Sequence, residues 1–469
     1  MLFNSVPFLA FVAAFFALWP FFRGRHNLRW GYLVAASFVF YGWWDWRYLL
    51  LLIGSGLIDY AAALAMQRWP YLRRLLLVAS LAANLGSLGL FKYLDFCIEN
   101  ANEMARLAGW NAEWPLLHLT LPVGISFYTF QSMSYTIDVY RGQLTPTRNV
   151  LHFFAYLSIF PQLVAGPIVR ATQLLPQLES QTPPTAEQRW EGLRLIVHGY
   201  FKKMVVADAL APVVDSAFSA TAPAPSCPFW WVVMVMFALQ IYCDFSGYSD
   251  IARGLGRWMG YDFPLNFNHP YTAVGFRDFW ARWHISLSTW FRDYLYLPLG
   301  GSRGGPWRTH FNLWLTMLVS GLWHGAGWPF VLWGALHAAY LSLERVTQWP
   351  QRLCDAGMRL PATLLTMALT LLAWVFFRSN SVTQAVAVMK ILFDPSLSSL
   401  QPLMWLGPTN MLLVTVMFLR ELYFWLGLDR TPLPTARWHV ALQPLSVALM
   451  IVACVLLRGP GQAFVYFQF

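Results

Sequence analysis

The sequence predicts an all-α, polytopic integral membrane protein with about ten or more transmembrane helices, accompanied by re-entrant and amphipathic cytoplasmic helices. Three observations predict it. Of 469 residues, 57% are hydrophobic and only 12% charged, against roughly 25% charged in soluble domains. The 25 Trp and 20 Tyr suit belts at the two membrane interfaces. Apolar runs of spanning length recur along the chain, with the basic residues clustered between them. That distribution accounts for the net charge of +10 as an orientation signal instead of a soluble basic face, so no nucleic-acid partner is expected. Cys97, Cys227, Cys243, Cys354 and Cys454 show neither CxxC nor His/Cys spacing, so no metal site and no disulfide framework is expected.

Residues 5–22 form a first span, with Arg23, Arg25 and Arg29 after it and no charge before it, unlike a cleaved signal peptide. Residues 30–46, 48–67 and about 75–93 follow as spans. The connecting segments alternate between basic (23–29 and 68–74) and neutral or acidic (45–47 and 95–113). The positive-inside rule then puts the N-terminus outside and the first and third loops in the cytoplasm. Residues 118–140 contain Pro122, Gly124 and many hydroxyls, which reads as a broken, cavity-lining span. Residues 150–167 are read as re-entrant, because a full crossing would place the charged stretch 170–194 outside. Residues 193–218 run outward to an Ala/Pro/Ser-rich loop (219–228), and 229–250 return inward. This leaves 253–310, with its many arginines, on the cytoplasmic face.

The chemistry is placed in residues 276–344. Trp280, Trp283, Leu287, Trp290 and Phe291 recur near helical spacing, predicting amphipathic interfacial helices from which Arg282 and Arg292 snorkel to phosphates. An apolar run follows and carries His324. An ionisable residue at membrane depth marks a functional site by default, and the competing reading is a histidine packed against a neighbouring helix. Gly321 and Gly325 have the small-xxx-small spacing that admits a second helix backbone. Gly325, Gly327 and Pro329 break the helix directly after the imidazole, as tolerated beside a cavity. Further spans or half-spans are expected at 311–323, 330–343, 361–377, 411–426 and 440–457.

The segments WARWHISLSTWFRDYLYLPLGG (280–301), SGLWHGAGWPFVLWGALH (320–337), PQLVAGPIVR (161–170) and DFSGYSDIARGLGRWMGYDFPLNFNHPY (244–271) resemble the membrane-bound O-acyltransferase family, in particular its bacterial alginate O-acetylation (AlgI-like) branch. The resemblance covers residues 121–345, taken as the motif-bearing core of a single domain over 1–469. It implies helices around a central tunnel and His324, of the WHG motif, as the catalytic residue. His284, in RWHIS, matches a second family motif and is placed with the catalytic residues, with substrate orientation, tunnel lining or helix capping as its possible roles. A neutral buried imidazole can accept a proton, and transfer to a hydroxyl needs such a base near the nucleophile. His337 is read as packing. His26, His310 and His439 are read as solvated loop residues, and His269 as part of a turn with Asn266 and Asn268. Asp244, Ser246 and Asp250 are read as ending a span and satisfying helix termini or Arg253 and Arg257, with a proton relay as the alternative.

The resemblance further implies an enzyme of the bacterial inner membrane with no bound cofactor. Its donor substrate would be acetyl-CoA or an acylated carrier protein, both anionic and attractable to the arginine-rich face. An extracytoplasmic esterase-like partner would supply the serine that esterifies the polymer, beside polysaccharide synthesis machinery. The residues contain no GxSxG, Walker A or HExxH motif, and Gly254 and Gly256 lack the third glycine of a dinucleotide fingerprint. The alternatives are D-alanyl transfer to teichoic acid (DltB-like) and a membrane transporter. The transporter reading lacks an evident inverted repeat.

Overall fold

A computed structural model describes residues 1–111, 113–164, 166–180, 182–219, 226–428, 437–462 and 464–465, and of 437–441 the backbone only. It is 76% helix, with no strand among the described residues, so the all-α expectation holds. The side chain of His439 and most of the 219–228 loop lie outside the described residues. Among the described residues, four helices are long and apolar enough to cross a membrane: Arg47–Arg68, Pro70–Leu107, Cys227–Met259 and Arg359–Arg378, with shorter apolar helices at Val6–Phe22, Val382–Leu392 and Leu442–Leu456. The chain divides into two compact units, Met1–Leu193 with Ala252–Pro264, and Arg194–Ile251 with Leu265–Phe469.

The first unit holds α1 (Val6–Phe22), α2 (His26–Gly42), α3 (Arg47–Arg68), α4 (Arg73–Leu88), α5 (Leu94–Leu107), α6 (Ile125–Tyr140), α7 (Val150–Ser158), α8 (Phe160–Leu163), α9 (Ala171–Glu179) and the start of α10 (Ala186–Tyr200). A π-helical turn, Gly89–Tyr93, joins α4 to α5, so the acidic loop expected at 95–113 is helical as far as Leu107. Residues 150–167 break into nine-residue α7 and one-turn α8. Nine residues rise about 13 Å, well short of a hydrocarbon core of about 30 Å, in keeping with a segment that does not cross. Buried Asp59 on α3 accepts hydrogen bonds from Ser80 Oγ (2.5 Å), Asn84 Nδ2 (2.9 Å) and Ser132 Oγ, which offsets the cost of burying a carboxylate.

The second unit continues α10 through a π-helical turn, Phe201–Ala207, into α11 (Asp208–Ala217) and contains most of α12 (Cys227–Met259). Then come α13 (Phe276–Trp280), α14 (Ile285–Phe291), a π-helical turn Arg292–Tyr296, α15 (Gly305–His324), α16 (Trp328–Thr347), α17 (Trp349–Asp355), α18 (Arg359–Arg378), α19 (Val382–Leu392), α20 (Pro408–Trp425) and α21 (Arg437–Leu456). Two expectations are corrected here. The helix read as ending near Asp250 runs on to Met259, so Asp244, Ser246 and Asp250 are mid-helix and do not end it. Asp250 pairs with Lys202 at 2.6 Å, and no Pro interrupts α12 after Pro228. His310 is not in a loop but on α15, half-buried, with Nδ1 3.1 Å from Ser342 Oγ.

Candidate active site

α15 and α16 form a close antiparallel hairpin because glycine lies where their backbones meet. A Cβ on Gly321 would sit 2.3 Å from the Phe330 carbonyl oxygen, and one on Gly334 2.4 Å from that of Met317. Such contacts with rigid backbone exclude any side chain. α15 ends on His324 and α16 starts at Trp328, so Gly325–Gly327 is the break between them. A Cβ on Gly325 would strike the Phe330 ring at 2.2 Å.

This hairpin seats His324, 4% exposed, in an aromatic box. Its ring centroid lies 5.0 Å from Trp323, 5.0 Å from Trp333 and 5.3 Å from Phe377 of α18, each edge-on. Trp333 in turn stacks on Trp374 at 6.0 Å. Edge-to-face packing of this kind stabilises each ring pair by about 0.5–1.5 kcal/mol beyond area burial, so the imidazole is held by rings whose own positions are fixed.

His284 also packs against Trp323, with centroids 6.1 Å apart, so the two predicted histidines contact one indole. His284 occupies the N-cap of α14 in the left-handed region (φ 42°), and its carbonyl accepts from the Leu287 and Ser288 amides. The capping role considered from sequence is thus met by the backbone, not the ring. The turn is pinned by Asn266, whose carbonyl accepts from the Ile285 amide (2.9 Å) and whose Oδ1 accepts from Ser286 Oγ (2.9 Å). The ring itself is fully buried, edge-on to Phe245 of α12 at 4.5 Å. Burial pushes this imidazole down to about 3, so it is neutral at physiological pH.

A cavity of about 160 Å³ leads to this region. Its wall includes Trp280, Leu287, Phe291 and Met317, with Ser320 one turn before His324. Arg292 and Tyr296 also line it, and the Arg292 side chain is 58% exposed. One cavity therefore links a cation in solvent to the buried end of α15. Glu344 of α16 accepts from the Phe276 amide at the start of α13 (2.5 Å).

The remaining candidates separate from this cluster. His337 is fully buried between Trp333 (4.9 Å) and Trp280 (5.1 Å), which bears out packing. Neither of its ring nitrogens meets a hydrogen-bond partner among the described residues. His269 occurs in a turn, as expected, but pairs with Glu421 at 3.3 Å and stacks on Phe424. Among the described residues no set of three His, Cys, Asp or Glu could hold a metal.

Sequence reading missed Lys203, Trp333, Phe377 and residues 459–462 and 464–465. Lys203, 2% exposed, lies 2.8 Å from both Asp208 and Asp244. The Trp333 signal was available as an aromatic residue five positions into the helix that begins at Trp328, just after the break that follows His324. Lys203 left none, because Asp208 nearby reads as an ordinary helical neighbour and its other partners, Asp244 and the Gln462 carbonyl, come from distant parts of the chain.

Comparison with known proteins gives a consistent result. The model of the membrane-bound O-acyltransferase family matches residues 147–386, which include His284 and His324. The chain is 40% identical over 409 residues to a probable alginate O-acetylase of Pseudomonas aeruginosa, covering 84% of this chain and 75% of that one. It is 39% identical over 409 residues to the corresponding Azotobacter vinelandii protein (84% and 78%). To a peptidoglycan O-acetyltransferase of Helicobacter pylori it is 38% identical over 390 residues (76% and 72%).

Proposed function

This chain belongs to the membrane-bound O-acyltransferase family, and from that premise we propose that it carries an acetyl group from a cytoplasmic thioester across the bacterial inner membrane for O-acetylation of an exopolysaccharide of alginate or cellulose type. The observation that carries this reading is His324, buried at a helix break and one turn beyond a cavity that opens beside an exposed arginine.

The donor, acetyl-CoA or an acylated carrier protein, lays its thioester arm in that cavity with its phosphate near Arg292, a charge-assisted contact. A ring nitrogen of His324 takes the proton from the acceptor hydroxyl while the hydroxyl oxygen attacks the thioester carbonyl. Collapse of the tetrahedral intermediate breaks the C–S bond, and the leaving thiolate receives the proton from the imidazolium. His284, neutral and packed against Trp323, assists by fixing that indole and the acceptor. An extracytoplasmic esterase-like partner then moves the acetyl group to the polymer beside the polysaccharide synthesis machinery. Peptidoglycan is a second candidate polymer, favoured by the similarity to the Helicobacter pylori protein.

The test is reconstitution in proteoliposomes with labelled acetyl-CoA or a labelled acyl carrier. We expect label transfer to an acceptor, reduced about 10²- to 10⁴-fold in His324→Ala with unchanged protein in the membrane. Glutamine keeps hydrogen bonding but cannot take a proton, so His324→Gln should fail as badly. Substantial transfer by both variants would remove His324 as the base, and no transfer from either donor by the parent would remove the enzyme reading.

A further inference from the structure

The residues just beyond α21 reach the acyl-transfer region, although they lie outside the stretch matched by the family model. Gly459 donates its amide to the Met204 carbonyl of the π-helical turn at 2.8 Å. It passes so close to α11 that a Cβ there would stand 2.4 Å from the Asp208 carbonyl carbon. Three residues on, the Gln462 carbonyl accepts from Lys203 Nζ at 3.1 Å. The Val465 amide donates to Asp244 Oδ2 at 2.6 Å. The three donors of the ammonium thus meet Asp208, Asp244 and the Gln462 carbonyl. Phe464 is fully buried, 4.6 Å from Tyr248 and 5.5 Å from Phe245. Phe245 is the ring that stands edge-on to His284.

A merely structural ion cluster would not need a neighbouring segment to complete it, nor end that segment with a ring against the wall of a catalytic histidine. The π-helical turn is the local device that makes the cluster possible, since an extra residue in the helical turn redirects side chains and such turns recur at functional sites.

We propose that residues 459–462 and 464–465 form a latch, closed by Lys203 and Asp244, whose Phe464 ring seats Phe245 and through it His284. Lys203, Asp244 and Phe464 are then positioning residues for acyl transfer, an inference that rests on the function proposed above. Misplacement of a catalytic group by about 1 Å can cost on the order of 100-fold in rate, so a loosened latch acts on turnover and leaves donor binding in the cavity alone.

Two arms test it on the full-length protein in membranes. In the first, Val465→Cys is placed in a background with the five native cysteines replaced by alanine, and labelling by a membrane-permeant maleimide is followed with and without Lys203→Met. Protection in the Lys203 protein and rapid labelling in Lys203→Met are expected, and equal protection in both overturns the latch. This arm needs no enzymatic activity, so it decides the latch even if acyl transfer itself is refuted. In the second, Phe464→Ala, which leaves every charge in place, is compared with Phe464→Leu. The alanine variant should lose about tenfold or more in kcat with KM for the donor unchanged, and leucine should restore much of it. Unchanged kcat in Phe464→Ala, or a loss confined to KM, overturns the positioning role. If Lys203→Met does not accumulate, Asp244→Asn replaces it in the first arm, keeping an acceptor for the Val465 amide while removing the charge.

Discussion

His284 combines two constraints that can be separated by choice of substitution. Its left-handed backbone disfavours most side chains by about 1–2 kcal/mol, whereas asparagine adopts that region with ease. His284→Asn should therefore keep the turn and a thermal midpoint near the parent's while transfer falls. His284→Ala should lose both, and full activity in the asparagine variant would reduce His284 to a backbone role. Its protonation makes a further prediction. The unfolded imidazole titrates near 6.5, but the folded one is held down to about 3 by burial. Between those values the unfolded state binds the extra proton, so stability is complete above about 6.5 and declines as pH falls, by up to about 1.4 kcal/mol per unit. Thermal midpoints measured at pH 7.5, 6 and 5 should fall more steeply for the parent than for His284→Asn. Parallel slopes would show that this ring is not the group being titrated.

Among the elements, the α15–α16 hairpin makes the sharpest distinction. Gly321 and Gly334 abut rigid carbonyls, while Gly325 abuts a phenyl ring. Gly334→Ala should force the helices apart and lower stability by about 1–3 kcal/mol, the usual range for overpacking, with activity lost alongside. Gly325→Leu should displace Phe330, which packs on Phe377 at 5.2 Å, and so disturb the box around His324 with a smaller loss of stability. Thermal melts paired with transfer assays check both, and a Gly334→Ala protein as stable as the parent would refute the close approach. The Gly321 spacing and the break after His324 were legible in the sequence, since both depend on residues within ten positions of each other. The length of α12 was not, because Asp244 and Asp250 imitate a helix end when read alone. Their lysine partners, at positions 203 and 202, are what make carboxylates tolerable in mid-helix. The latch was less legible still, since Val465 is 221 residues from Asp244 and no periodicity connects the two.

At the scale of the whole molecule, hydropathy and the clustering of charge were enough to identify a helical membrane protein, because both follow from the bilayer and not from particular contacts. The 33 residues of α12 rise about 50 Å, about 20 Å more than the hydrocarbon core needs. All of its charged residues fall after position 243, so it is the C-terminal end of this helix that leaves the bilayer, and Arg253 and Arg257 mark the side on which it does so. Arg277, Arg282, Arg292, Arg303 and Arg308 follow before α15 turns back. The positive-inside rule assigns that side to the cytoplasm, the side from which the proposed donor must approach Arg292. Ser302 is exposed there, its Oγ 2.9 Å from the Tyr296 hydroxyl. Ser302→Cys in the cysteine-free background should react with an impermeant maleimide in inverted vesicles and resist it in intact spheroplasts. Labelling from the periplasm instead would invert the topology and place the mouth of the cavity out of reach of any cytoplasmic thioester.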